Sequence, residues 1–267
     1  AKGFQTDSDY QARALDYLTY ATDGEPELGS ILNAIAYMER DLVDPTFDAS
    51  PRTVDVDDWD EKWNQFDKLL DTRDFDGLYL LNMLLRHEDH EYLTPALWDR
   101  VRATLFEFKF WFTDATPSLP DPGDPGRDWD ETFYWTENHQ IIFHTIEYLL
   151  GQRYPEQCFT IRGFEPTDDC SGTVQVEVPG GMEERAFEHR GEMLRERAKE
   201  KILVWLDDRW LAGFSEWHSN VYLQKDATPL LTLVEYAQDV EVQPRAAIVL
   251  DLLMLDMATH THRGVLG

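Results

Sequence analysis

Residues 133–150 read FYWTENHQIIFHTIEYLL, in which aromatic and polar side chains give way to an apolar run. Thr136 precedes that run and is predicted to be the N-cap of a helix. The apolar side chains recur at helical spacing, at Ile142, Phe143, Ile146, Leu149 and Leu150. Asn138 and His139 share this face, one turn or more ahead of the apolar positions. The pattern therefore predicts that the pair lies at the mouth of a buried stripe, where it is hydrogen-bonded internally or lines a pocket.

The composition favours one large core, or at most two small ones, and a strongly acidic surface. The chain has 267 residues, 42% of them hydrophobic, and 52 Asp and Glu against 24 Lys and Arg, so the net charge is -28. An acidic excess spread along the whole chain is typical of a surface adapted to high salt, and we expect a halophilic source. The charge argues against a nucleic-acid partner and against binding to anionic lipid. No apolar run suits membrane insertion, and no signal peptide is visible.

The periodicity indicates an all-α fold of antiparallel helical hairpins forming a single domain over residues 1–267. Helices are expected at 10–21, 26–38, 57–70, 75–85, 94–111, 136–150, 183–210, 230–237 and 244–257. The irregular segment 151–181 is predicted to be an insertion whose residues 173–178 form a minor β element. Cys158 and Cys170 lie in the segment 151–181. Their spacing is equally compatible with a disulfide and with two unpaired thiols. A disulfide would suit an extracellular or cell-surface protein, which we slightly favour.

A second polar stretch, GFSEWHSNVY at residues 213–222, follows the longest helix. It combines Glu216, His218, Asn220 and Tyr222 with the flat ring of Trp217. Aromatic faces stack on sugar C–H groups while amides and carboxylates bind hydroxyls, so this mixture favours carbohydrate recognition. The alternative is a corner between helices that is held by side-chain hydrogen bonds.

The two polar stretches, together with the closing run at residues 250–264, resemble the (α/α) toroid domains of polysaccharide lyases, of the alginate lyase and heparinase groups. The resemblance covers roughly the C-terminal half and implies a complete or incomplete toroid of helical hairpins. In that family an Asn-His pair on an inner helix and a later tyrosine flank the scissile bond, which corresponds to Asn138, His139 and Tyr222. Glu137 stands where the family usually has another Asn.

Three functions follow as expectations. A lyase would neutralise a uronate carboxylate with Asn138 and remove the adjacent proton with His139 or Tyr222. A glycoside hydrolase would use Glu137 and Glu216 as its pair of carboxyl groups. A non-catalytic carbohydrate-binding or assembly module would need only the aromatic surface. The predicted catalytic residues are Glu137, Asn138, His139, Glu216, His218 and Tyr222, and the predicted sugar-binding residues are Trp135, Trp217 and Asn220.

The expected partner is a poly- or oligosaccharide. The histidines and carboxylates supply metal-ligand atoms, but no ligand-spacing motif joins them, so neither a metal nor another cofactor is predicted.

Overall fold

The computed structural model describes residues 7–24, 26–48, 53–114, 130–160, 170–178, 181–216, 219, 221–263 and 265–266. Within these residues the structure is mostly helical, which confirms the all-α class. The helices are α1 (Asp7–Ala21), α2 (Ile31–Val43), α3 (Asp60–Asp67), α4 (Arg73–His87), α5 (Pro95–Phe106), α6 (Glu137–Arg153), α7 (Gly191–Ala212), α8 (Leu223–Tyr236) and α9 (Val242–Thr259). The toroidal arrangement stays a prediction.

Two antiparallel hairpins accompany the helices. β1 (Ser171–Val178) pairs with β2 (Gly181–Glu188), and β3 (Thr261–His262) pairs with β4 (Val265–Leu266). The first of them confirms the β element predicted at 173–178.

Contacts group the chain into two compact units. The first comprises Ala1–Asn64 and Tyr79–Thr104, and the second comprises Gln65–Leu78 and Leu105–Gly267. The prediction of a single domain is not tested by this grouping. All the residues of the candidate site that the structure describes belong to the second unit.

The first unit has its own aromatic core. Tyr37 on α2 stacks on Tyr92 with ring centroids 5.2 Å apart, and both side chains are buried. The Trp59 indole, which is also buried, donates a hydrogen bond to the carbonyl of Leu28 at 2.8 Å. Because buried indoles need an acceptor, this bond fixes the loop before α2 on the core.

The second unit is built around α6, which packs against α7 and α8, while α9 packs on α7 and α8. Apart from Gln140, every residue from Glu137 to Gly151 is buried, so α6 has no solvated face. A helix buried on all sides belongs to the centre of a core. Any polar side chain on α6 must therefore find a partner inside the protein.

Glycines permit the close approach of α6 and α7. A Cβ atom at Gly151 would lie 2.3 Å from the carbonyl oxygen of Gly191, and one at Gly191 would lie 2.0 Å from that of Tyr154. Both obstacles are backbone atoms, which cannot rotate away. The close approach of α6 and α7 therefore requires residues without a side chain at both positions.

Several predicted helix boundaries are wrong. The helix predicted at 26–38 spans Ile31–Val43. The helix predicted at 183–210 begins only at Gly191, because Gly181–Glu188 pairs with β1, and this pairing overrides the helix propensity of its Glu and Ala residues. The helix predicted to open at Thr228-Pro229 begins at Leu223, and Pro229 lies inside it. The helix predicted at 94–111 ends at Phe106.

The other sequence predictions about connections have mixed outcomes. Cys158 and Cys170 form a disulfide, with their Cα atoms 5.1 Å apart, which decides between the two states left open by the sequence. The segment at 117–130, whose Pro, Gly and Asp content predicts an exposed loop, lies outside the described residues except for its last position. Among the helices that the structure describes, none is long and apolar enough to cross a membrane.

Candidate functional site

A buried carboxyl–imidazole pair lies at the start of α6. His139 Nδ1 is 2.7 Å from Asp74 Oδ2, and both side chains are buried. The imidazole stacks on the ring of Phe75, with centroids 5.0 Å apart. Burial raises the pKa of Asp74, although the contact with His139 acts in the opposite direction. The carboxyl group and the aromatic ring together fix the orientation of the imidazole, and with its proton on Nδ1 the Nε2 atom can accept one.

Glu137, the first residue of α6, is held by residues that follow or end α7. The backbone N–H and the hydroxyl of Ser215 each donate to Glu137 Oε2 at 2.7 Å, and Arg209 donates to the same oxygen. The Trp205 indole donates to the Glu137 carbonyl at 3.0 Å. Three donors on one oxygen fix the carboxylate, while Oε1 is buried and has no hydrogen-bond partner among the described residues.

Glu137 belongs to a cluster with Glu216 and Asp226. One oxygen from each of these carboxyl groups lies within 4.8 Å of the others. Burial, together with the Glu137 and Glu216 charges, raises the pKa of Asp226 to about 8, while Arg209 opposes the shift. Burial and the Glu137 charge also raise the pKa of Glu216, whereas His139 lowers it. The last effect makes His139 an electrostatic neighbour of the cluster.

The side chain of Asn138 is hydrogen-bonded at the N-terminus of its own helix, α6. Its Oδ1 accepts hydrogen bonds from the Thr136 hydroxyl and the His139 backbone N–H, both at 2.8 Å. Thr136 occupies the N-cap position as predicted, but its side chain donates to Asn138 and does not cap the helix. Asn138 has no exposed surface, and its Nδ2 has no hydrogen-bond partner in the described chain.

Tyr222 and Trp135 are solvent-accessible. Tyr222 is 44% exposed, and its carbonyl accepts the Asp226 backbone N–H at 3.1 Å, one turn before the acidic cluster. Trp135 is 61% exposed, and its ring lies 5.9 Å from that of Phe112, which is also exposed. The structure thus places an open aromatic surface two residues before Glu137. The predicted site residues Trp217, His218 and Asn220 lie outside the described residues.

Of the predicted residues, Glu137, His139 and Glu216 adjoin one another, and two of their important neighbours are absent from the sequence prediction. Asp226 precedes Leu230 and Leu233 by four and seven residues, which places it on the apolar stripe of α8. Asp74 has the same relation to Leu78 and Leu81 on α4. An acid at core spacing is the signal that identifies both.

A second buried ionic network lies elsewhere along α6. Arg197 on α7 donates hydrogen bonds to Glu147 and Asp114, and Lys201 lies 3.9 Å from Glu147. Burial raises the pKa of Glu147 to about 7, although Arg197 and Lys201 favour its charged form. Burial also holds the pKa of His144 well below its usual range. The carboxylates here have cationic partners, so this network reads as a structural link between α6 and α7.

Comparison of the chain with protein-family models, with curated proteins and with solved structures found no match.

Proposed function

We propose that this protein is a carbohydrate-active enzyme that cleaves a uronic-acid-containing polysaccharide by β-elimination, with His139 as the base. The Asp74–His139 pair is the observation that carries the proposal, because it combines a fixed ring with a proton-accepting Nε2. In a β-elimination the base removes the proton next to the uronate carboxylate, and the bond to the leaving oxygen breaks. Asp74 acts here as a positioning residue.

The leaving oxygen needs a proton, and the neighbourhood of His139 supplies donors. Glu216 has a raised pKa because it is partly buried beside Glu137, so it retains a proton more readily than an ordinary carboxyl group. Tyr222, at the start of α8, is the donor that the family resemblance implies. Glu137 is less suited to proton transfer because three donors hold one of its oxygens.

A uronate substrate is anionic, so cationic side chains are needed to offset its repulsion by the acidic cluster. Arg209 is bound to Glu137 and offsets that charge. Lys225 Nζ lies 4.1 Å from the centroid of the Phe75 ring, on which His139 also stacks. Lys225 is therefore the cation that we assign to the substrate carboxylate, and the exposed rings of Trp135 and Phe112 would stack on neighbouring sugars.

Glycoside hydrolysis is the second candidate, and one observation favours it. One oxygen of Glu137 and one of Glu216 lie within 4.8 Å of each other, so the two carboxyl groups are near enough to act as a pair on one glycosidic bond, as in retaining enzymes. In this reaction Glu216 would be the acid and Glu137 the nucleophile. It assigns no role to the Asp74–His139 pair, which is why we place it second.

The test is the product formed from alginate, heparin and polygalacturonate in molar KCl. We expect an unsaturated, ultraviolet-absorbing uronyl product, and we expect His139→Ala to lower its rate of formation by about 10²- to 10⁴-fold. Asp74→Asn should lower the rate and change its pH profile, because the ring loses the carboxylate that orients it. Circular dichroism would verify that both variants fold, and His262→Ala, at an exposed position, is the matched control.

The alternatives give different results. Saturated sugars, with Glu137→Gln and Glu216→Gln as the inactive variants, would establish the glycosidase. Binding of oligosaccharide without turnover, unaffected by His139→Ala but lost in Trp135→Ala, would establish the binding module. Full elimination activity in His139→Ala would refute the assignment of the base.

A further inference from the structure

The acidic cluster joins three elements of the second unit: Glu137 begins α6, Glu216 follows α7, and Asp226 lies in the first turn of α8. We propose that these three carboxylates bind a divalent cation with a preference for oxygen ligands, Ca²⁺ being the best fit. The inference concerns cation binding alone and does not depend on the proposed β-elimination, in which Tyr222 is the proton donor when Glu216 binds the cation.

The hydrogen bonding of the cluster is what points to a cation. Asp226 has no exposed surface, yet neither of its carboxyl oxygens has a hydrogen-bond partner in the part of the chain that the structure describes. The same holds for the buried Glu137 Oε1 and Glu216 Oε2. Buried carboxylate oxygens without donors are costly, and a cation is the group that satisfies several of them at once.

The arrangement around Glu137 is that of a supported metal ligand. Its Oε2 is anchored by Ser215 and Arg209, so its orientation is fixed before any ion binds. Its Oε1 is left for coordination. Carboxylate ligands in metal sites are commonly held in this way by groups behind them.

The charge balance leads to the same conclusion. Among the described residues, the three carboxyl groups are offset by one bound guanidinium, that of Arg209, and the neighbouring imidazole of His139 is already paired with Asp74. Burial, together with the charges of neighbouring carboxylates, raises the pKa values of Asp226 and Glu216. A divalent cation would restore the ionised forms, so protons and the cation should compete for the cluster.

The ligand set favours Ca²⁺ over Mg²⁺. One oxygen of each of the three carboxyl groups lies within 4.8 Å of the others, and Ca²⁺ accepts about six to eight oxygen ligands in a flexible arrangement. Mg²⁺ requires a nearly octahedral arrangement and is usually bound by one or two carboxylates together with water. An all-carboxylate set, without sulfur or imidazole, also disfavours Zn²⁺ and Cu²⁺.

Two measurements test the proposal on chelator-treated protein, at about pH 8 and in molar KCl to suppress weak binding at the acidic surface. Calorimetric titration with CaCl₂ should reveal one site. Tb³⁺, a luminescent substitute for Ca²⁺, should give tryptophan-sensitised emission, because Trp205 is hydrogen-bonded to Glu137. At about one hundred times Kd, Ca²⁺ should raise Tm by roughly 5 °C.

The variants separate the site from the rest of the acidic surface. Asp226→Asn and Glu216→Gln should each weaken Ca²⁺ binding by at least about tenfold, abolish sensitised Tb³⁺ emission and remove the Ca²⁺-dependent rise in Tm. Glu235→Gln makes the same charge change at an exposed position of α8 and should behave as the unmodified chain does. Without Ca²⁺, Asp226→Asn should melt no lower than the unmodified chain, since it removes repulsion, so its loss of binding is not unfolding.

The contrary results are equally definite. If the unmodified chain binds neither Ca²⁺ nor Tb³⁺ at millimolar concentration, the cluster is a proton-binding site only and the proposal is wrong. Binding that persists in both Asp226→Asn and Glu216→Gln would place the ion elsewhere and also overturn it. Neither measurement involves a sugar, so these failures are distinct from failure of the elimination reaction.

Discussion

Asp226→Asn should change the way in which stability depends on pH. Burial and two neighbouring carboxylates raise the pKa of Asp226 to about 8, from an ordinary value of 3.8. Between these values the folded chain keeps the Asp226 proton while the unfolded chain releases it. The stabilising effect of protonation is complete below about pH 4 and is lost as the pH rises through about 8. Asparagine carries no such proton, so the variant should lack this dependence.

The expected magnitude follows from the same shift. Each pH unit within the window changes the free energy of unfolding by at most ~1.4 kcal/mol for one proton, so the whole window corresponds to about 6 kcal/mol. At about pH 4 the two proteins should have similar stabilities. At about pH 8 the Asn variant should be more stable by several kcal/mol.

The assay is urea unfolding followed by tryptophan fluorescence and circular dichroism, with chelator present and KCl constant. Glu147, whose pKa is raised to about 7, contributes a slope of the same sign in both proteins. The difference between the two proteins therefore isolates Asp226, and Glu235→Gln controls for the loss of one negative charge on α8. If the stability difference between the Asn variant and the unmodified chain is independent of pH, Asp226 is not a buried proton-binding group and the reasoning fails.

Two further predictions concern the fold. Because the net charge is -28, Tm should rise as KCl increases from low concentration into the molar range, and a flat or falling Tm in thermal scans would contradict the halophilic interpretation. Gly151→Ala should lower the free energy of unfolding by about 1–3 kcal/mol or more, because the new Cβ meets the backbone of α7 at 2.3 and 2.7 Å. Gly29→Ala is the control in urea unfolding, since its Cβ would meet Asp58 at an ordinary 3.5 Å, and equal losses in the two variants would refute the close-packing argument.

The sequence predicts most of the helices because their apolar side chains recur at helical spacing, and this signal is local. It fails at Gly181–Glu188, where the residues favour a helix but pair with β1, an interaction that no local pattern contains. It also fails at Pro229, because a proline after a threonine is typical of a helix start, whereas tertiary packing extends α8 back to Leu223. Helix boundaries are thus mispredicted where contacts with another segment of the chain determine the conformation.

The candidate site is predicted in part for a related reason. His139 and Glu137 are identifiable because they interrupt the apolar face of a helix, where polar groups are costly. Asp74 and Asp226 interrupt apolar faces in the same way, but among 52 acidic residues they are inconspicuous until helical spacing is applied to each acid separately. In a chain this acidic, a carboxylate is unremarkable at the surface and informative only inside. Asking which acids occupy core positions selects Asp74, which is paired with His139; Glu137 and Asp226, which belong to the acidic cluster; and Glu147, which belongs to the second ionic network.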